Sequence, residues 1–189
     1  MKIVCFVFAV LLLAAPAGAQ QVEGGVPDGE AVAEFEKRVT AYVALRDQLR
    51  DGPADLDETA NPGEIAAAER TLAARIQTAR AAAKQGDIFT PAIQARFLSF
   101  LNPEMKGTRG RNTRGIIWDE GPGPGAVPLK VNGGYPRNQP LGSVPPNILE
   151  TLPPLPEGIE YRFVHRHLVL RDARANLIID YMRAAIPGA

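Results

Sequence analysis

The chain has 189 residues, and its 21 basic and 21 acidic side chains give a formal net charge of zero at neutral pH. This balance provides no long-range field toward nucleic acid or an anionic membrane, so we expect no nucleic-acid partner. Aromatic residues make up 6% of the chain, which also contains 18 Gly and 17 Pro. This composition predicts a modest core and much irregular chain.

Residues 1–19 have the three parts of a secretory signal peptide. Lys2 supplies a positive charge, an apolar run covers residues 3–15, and small residues at 17–19 precede Gln20. The apolar run is too short to span a bilayer. We therefore expect cleavage near Gln20, an exported protein in the periplasm or outside the cell, and no membrane span after cleavage.

The chain has one cysteine, Cys5, and it lies inside the apolar run. The predicted mature chain therefore contains no cysteine. It can form no disulfide framework, thiolate nucleophile or cysteine-ligated zinc site, so burial of apolar side chains must hold it together.

Residues 20–102 are predicted to be helical. Apolar residues recur every three or four positions across residues 30–50, which predicts an amphipathic helix. A second helix should begin after Asn61, whose side chain can cap it, and should run to a stop at Gly86.

A third, shorter helix should begin after Thr90 and end at Asn102. The two long helices are most simply an antiparallel hairpin, with the third helix folded over one end. The hairpin has strongly charged faces and lacks an obvious cover. It is therefore a candidate surface for a protein partner or for self-association.

Residues 103–156 are dense in Gly and Pro and are interpreted as an irregular connecting or wrapping segment. So long an irregular region is uncommon inside a compact domain. Its regularly spaced apolar residues favour wrapping over a flexible connector. Short extended pieces are predicted at residues 114–118 and 127–131.

Residues 157–189 are predicted to form a three-stranded antiparallel β-meander. Apolar strand-like runs occur at residues 159–163, 168–170 and 177–181, with breaks at residues 165–166 and 172–176. Each break is short enough for a hairpin turn. An Arg–Asp pair across the strands would fix the register; its candidates are Arg162, Arg171, Asp172 and Asp180.

The predicted fold class is therefore α+β. It combines an N-terminal antiparallel helical hairpin, a third short helix, a Pro/Gly-rich irregular middle and a C-terminal meander. Residues 20–189 are expected to form one compact unit.

Three segments carry a resemblance to a known family: I-F-T-P-A-I-Q-A-R-F, V-N-G-G-Y-P-R-N-Q-P-L, and the closing L-P-P-L-P-E-G-I-E-Y-R-F-V-H-R-H-L-V-L-R-D-A-R-A-N-L-I-I-D-Y. Together they resemble a family of exported bacterial proteins with a signal peptide, a helical N-terminal part and this closing segment. The resemblance implies export and no particular activity.

The closing residues are also similar to the end of small periplasmic proteins of nickel and cobalt homeostasis. The matching positions are Tyr161, Arg162, Val164, Leu168, Val169, Leu170, Asp172, Ile178 and Asp180. This similarity implies an alternative function in divalent-metal binding or metal homeostasis.

His165 and His167 are the two histidines of the chain. Imidazole suits Zn, Cu and Ni, and residues two apart on a strand share a face. A site needs three or four ligands, however, and the nearby acids Glu160, Asp172 and Asp180 show no recognisable ligand spacing. Turn and surface roles are therefore the favoured interpretation, with a Ni, Co, Cu or Zn site at His165 and His167 as the alternative.

No catalytic residues are predicted. Ser99 and Ser143 are the two serines, and neither lies in a G-x-S-x-G elbow. The favoured function is a non-enzymatic exported protein, acting as an interaction or envelope-associated module. Besides the metal alternative, an envelope-polymer hydrolase would require a cleft with two carboxylates.

Overall fold

The computed structural model describes residues 28–50 and 61–187. The predicted signal peptide lies outside the described residues. The elements in chain order are α1 (Asp28–Leu49), α2 (Pro62–Ala79), α3 (Pro91–Glu104), α4 (Gly107–Glu120), β1 (Gly133–Gly134), α5 (Pro146–Leu149), β2 (Ile159–Val164), β3 (His167–Asp172) and β4 (Leu177–Met182). The predicted α+β class is confirmed.

The sheet is antiparallel, with strand order β1-β4-β3-β2. Its β2-β3-β4 part is the predicted meander, with a two-residue turn at residues 165–166 and a longer turn at residues 173–176. β1 was not predicted. In it, Gly133 and Gly134 pair with Ile178 and Leu177 of β4, so the middle of the chain contributes an edge strand.

The N-termini of α2 and α3 follow the predicted capping. The Asn61 side chain accepts a hydrogen bond from the Gly63 N–H at 2.9 Å, and the Thr90 hydroxyl accepts one from the Ile93 N–H at 3.4 Å. These bonds satisfy amide groups that have no partner within the helix. α3 ends two residues beyond the predicted Asn102, because Pro103 is accommodated in the last turn.

α1 and α2 run antiparallel, as predicted. Near the middle of α1, the Tyr42 ring centroid lies 4.9 Å from the guanidinium of Arg80, the residue that follows α2. At the end of α1, the Leu49 carbonyl accepts a hydrogen bond from Arg75, earlier in α2, at 3.0 Å. Later positions on one helix therefore contact earlier positions on the other.

The apolar face of this hairpin is buried in the main core. Phe35 of α1 packs 4.8 Å from Phe97 of α3 and 6.3 Å from Tyr161 of β2, measured between ring centroids. Leu72 and Ile76 of α2 belong to the same core. The expectation that the hairpin lacks a cover is therefore wrong, because its apolar side chains pack against α3 and the sheet.

α2 ends at Ala79 and does not continue to the predicted stop at Gly86. Beyond it, the Arg80 guanidinium donates to the Asn132 side-chain oxygen, and the Asn132 amide donates back to the Arg80 carbonyl, each at 2.9 Å. Gly86 adopts a positive φ of 90°. Hydrogen bonds to distant residues thus replace the last turns that local periodicity predicted.

α4 is a second departure from prediction. Residues 114–118 are helical and residues 127–131 form no strand, so both predicted extended pieces are wrong. The buried face of α4 is made of Gly110, Thr113 and Ile117. A Cβ on Gly110 would lie 2.1 Å from the Met105 carbonyl carbon, so glycine is required for this close packing. Because two of these three buried residues are Gly and Thr, α4 shows no periodic pattern of apolar residues in the sequence.

The chain that follows α4 packs on the second face of the sheet. Val127 and Tyr135 lie there against Val164, Val169 and Ile178. The helices pack on the opposite face, so the sheet is covered on both sides.

Asp180 of β4 is a fully buried carboxylate that fastens the loop before α3 to the sheet. It accepts hydrogen bonds from the N–H groups of Gly86 at 3.0 Å and of Ile88 and Phe89 at 2.8 Å. A fourth comes from the Tyr181 N–H at 2.8 Å. These amide donors compensate the cost of burying the charge.

Asp172 of β3 anchors α1 to the sheet in a similar way. Its Oδ2 accepts a hydrogen bond from the Tyr42 hydroxyl at 2.8 Å, and the buried Arg46 guanidinium lies 3.8 Å away. Its Oδ1 accepts hydrogen bonds from the N–H groups of Arg174 at 2.8 Å and Ala175 at 3.2 Å. The same side chain therefore closes the β3–β4 turn and holds α1.

Among the described residues, no helix combines the length and the apolar character needed to cross a membrane.

Replacing Asp180 by Asn tests the Asp180 anchor. The amide of Asn places N–H donors among backbone N–H groups, so we expect the free energy of unfolding to fall by about 3 kcal/mol. Urea denaturation measures the change. Glu150→Gln, at an exposed position, is the control and should shift the midpoint little. Equal midpoints for Asp180→Asn and the wild type would contradict the anchoring role.

Candidate functional site

A groove of about 520 Å³ lies against β2. Its lining is mostly apolar and comes from the segment before β2 and from β2 itself. The lining residues are Ser143, Val144, Leu149, Leu152, Pro153, Pro154, Leu155, Ile159, Glu160, Tyr161 and Arg162. The volume falls within the usual range for ligand pockets.

Local sequence explains the outer wall of the groove. The single turn α5 leaves Leu149 with 53% of its surface exposed. Pro153 and Pro154 then fix the backbone φ angles and remove two N–H donors. The Tyr161 hydroxyl donates to the Pro153 carbonyl at 3.0 Å, which ties the wall to β2. Burial, and to a lesser extent the charge of Glu36, raises the pKa of Tyr161, so its hydroxyl stays a donor.

The polar side of the groove is formed by Glu160 and Arg162, which belong to an ion-pair cluster with Arg171 of β3. Arg162 Nη2 lies 2.5 Å from Glu160 Oε2, and Arg171 Nη1 bonds to Glu160 Oε1. Burial alone would raise the pKa of Glu160, but hydrogen bonds and charge from the two arginines outweigh it and lower that pKa. Glu160 therefore remains ionised between two guanidinium groups.

This cluster corrects the predicted register pair. Glu160 lies directly opposite Arg171 across β2 and β3, so the cross-strand pair is Arg–Glu. Asp172 and Asp180 lie fully buried and accept hydrogen bonds from the helical layer and the turns. The Arg–Asp expectation failed because both aspartates are held in the core.

The structure places His165 in the β2–β3 turn and His167 at the first position of β3. His165 has a φ of 53°, and its ring stacks on Trp118 of α4 with centroids 6.4 Å apart. His167 Nδ1 accepts a hydrogen bond from the Ala184 N–H at 3.0 Å. For His167, this leaves Nε2 as the ring nitrogen for any further ligand.

Across residues 28–50 and 61–187, no three or more His, Cys, Asp or Glu side chains come together in a way that could hold a metal ion. The two histidines thus have no third ligand there. The Ni, Co, Cu or Zn site at His165 and His167 stays a prediction.

The groove was missed by sequence reasoning. Its walls come from residues 143–144, from residues 149 and 152–155, and from residues 159–162, which no local period connects. The strongest sequence signal was the Pro-Pro-Leu-Pro stretch that ends at Pro156, next to a strand with alternating charged residues. Such a stretch is stiff and poor in N–H donors, and it favours an apolar wall.

The pH dependence of stability tests the His167 hydrogen bond. Burial, then the charges of Arg183, Arg166 and His165, lower the pKa of His167 below its unfolded value. A base with a lowered folded pKa contributes stability above the unfolded pKa and loses it as pH falls through the folded pKa. We expect the gap in unfolding free energy between wild type and His167→Asn to shrink from about pH 7 to about pH 5. A constant gap in urea titrations at both pH values would contradict this role.

Comparison with known proteins does not identify a function for the site. No protein-family model, no curated protein and no solved structure matches the chain.

Proposed function

We propose that the protein is a non-enzymatic exported binding module, and that the groove beside β2 is its binding site. The observation that carries this proposal is the groove itself: a concave, mostly apolar surface with a small number of polar groups at one side. Ligand sites generally have this character.

The position of the carboxylates supports binding over hydrolysis. Among the described lining residues of the groove, Glu160 is the one carboxylate, and both of its oxygens are bonded to arginines. Hydrolysis of a glycan by the usual route needs two carboxyl groups that flank the bond. The deeper carboxylates, Asp172 and Asp180, are engaged by internal donors.

The groove also replaces the helical hairpin as the proposed contact surface for a partner. The apolar residues of the hairpin are buried in the core, whereas Leu149 at the groove is half exposed. An exposed leucine in an apolar concavity is the kind of surface that a ligand covers.

Export belongs to this proposal and rests on residues 1–19. N-terminal sequencing of the chain recovered from a cell-envelope or secreted fraction should begin near Gln20. Recovery of the full chain from Met1 in the cytoplasm would contradict export.

Titration with Nile red, a neutral apolar dye, tests the groove. The wild type should bind it saturably, and Leu149→Arg should weaken binding at least tenfold because a charge enters the apolar wall. The matched control is Ile65→Arg, since Ile65 is an exposed apolar residue on α2 with 38% exposure and does not line the groove. The control should bind as the wild type does. Equal weakening in both variants, or no saturable binding, would contradict the proposed site.

A further inference from the structure

The ion-pair cluster beside the groove carries an unbalanced positive charge. Glu160 and Arg162 line the groove, and Arg171 lies next to Glu160 outside the lining. Two guanidinium groups, from Arg162 and Arg171, share the single carboxylate of Glu160. Arg171 also donates to the neutral Asn176 oxygen at 2.7 Å. In the cluster of three charged side chains, one positive charge is therefore uncompensated.

Arg162 also has an unused donor. Its Nε is buried and has no hydrogen-bond partner among the described residues, and its side chain is only 24% exposed. A buried N–H without an acceptor is unfavourable until an acceptor arrives. Arg162 lines the groove, so an acceptor bound there would come within the reach of its side chain.

The apolar wall restricts what can carry that acceptor. An extended peptide brings backbone N–H and C=O groups that require partners when buried. The edge strand β2 could pair with only one side of such a peptide. On the other side, the prolines at positions 153 and 154 offer no N–H group, and the leucines at 149, 152 and 155 present apolar side chains. A hydrocarbon chain has no such groups to satisfy.

We infer that the groove binds a monoanionic amphiphile, namely an acyl chain that ends in a carboxylate. The chain packs against Leu149, Leu152 and Leu155, and the carboxylate pairs with the Arg162 guanidinium. Arg–carboxylate pairs are strong because the planar group donates in a fixed geometry. This inference rests on the proposed function, because it names the ligand class of the same groove.

Three ligands with the same alkyl chain test the inference: decanoate, decanol and decyltrimethylammonium. Displacement of Nile red from the mature chain reports the affinity of each one. We expect decanoate to bind at least tenfold more tightly than decanol. Decyltrimethylammonium should bind the most weakly because Arg162 repels it.

Arg162→Gln should bring decanoate down to the affinity of decanol, while Glu160 keeps its pairing with Arg171. The matched control is Arg166→Gln, which removes the same charge from the neighbouring turn without touching the groove lining. It should keep the preference for decanoate. Loss of the preference in both variants would overturn the role of Arg162.

The outcomes separate this inference from the proposed function. Equal affinities of the wild type for decanoate and decanol would overturn the carboxylate assignment while leaving the groove as a binding site. If an apolar peptide with a free carboxyl terminus bound more tightly than decanoate, the assignment of an acyl chain as the ligand would be overturned. Failure of Nile red and all three amphiphiles to bind would remove the groove proposal itself. The wild-type comparison decides the headgroup even if Arg162→Gln folds poorly.

Discussion

Two carboxylates buried in the sheet hold the helical layer in place. Asp180 accepts hydrogen bonds from three N–H groups of residues 86–89, just before α3. Asp172 accepts one from the Tyr42 hydroxyl of α1. Each carboxylate thus fixes one helix relative to the strands, and the aromatic contacts among Phe35, Phe97 and Tyr161 complete that interface. Because burying an unpaired charge is very unfavourable, this arrangement specifies a particular docking of the helices on the sheet.

Structural features that a short stretch of sequence determines were predicted well. The alternation of apolar residues located the three meander strands, and Asn61 and Thr90 located two helix starts. Features that depend on distant contacts were not. α4 escaped prediction because its buried face includes Gly110 and Thr113, and α2 ends early because Arg80 bonds to Asn132. In each case, tertiary packing outweighed a local pattern.

In the candidate site, too, local sequence features were predicted and features that depend on distant contacts were not. His165 and His167 attract attention by residue type alone. The turn was predicted correctly at residues 165–166, which places His165 in it and His167 at the start of β3. The groove gives no such signal, because its lining joins three separate segments and five of its eleven residues are Leu or Pro. Arg162 and Glu160 look like ordinary exposed strand residues in the sequence. Their significance depends on the apolar wall beside them, which only the folded chain brings into place.

The groove as the binding site is tested most directly by amide chemical-shift mapping of residues 20–189, the predicted mature chain, during a titration with decanoate. We predict that the largest shifts fall on residues 143–162, including Leu149 and Arg162, and that the ends of β4 and the outer faces of α1 and α2 change little. Shifts centred on the helical hairpin, or on the turn that contains His165, would contradict the groove as the binding site.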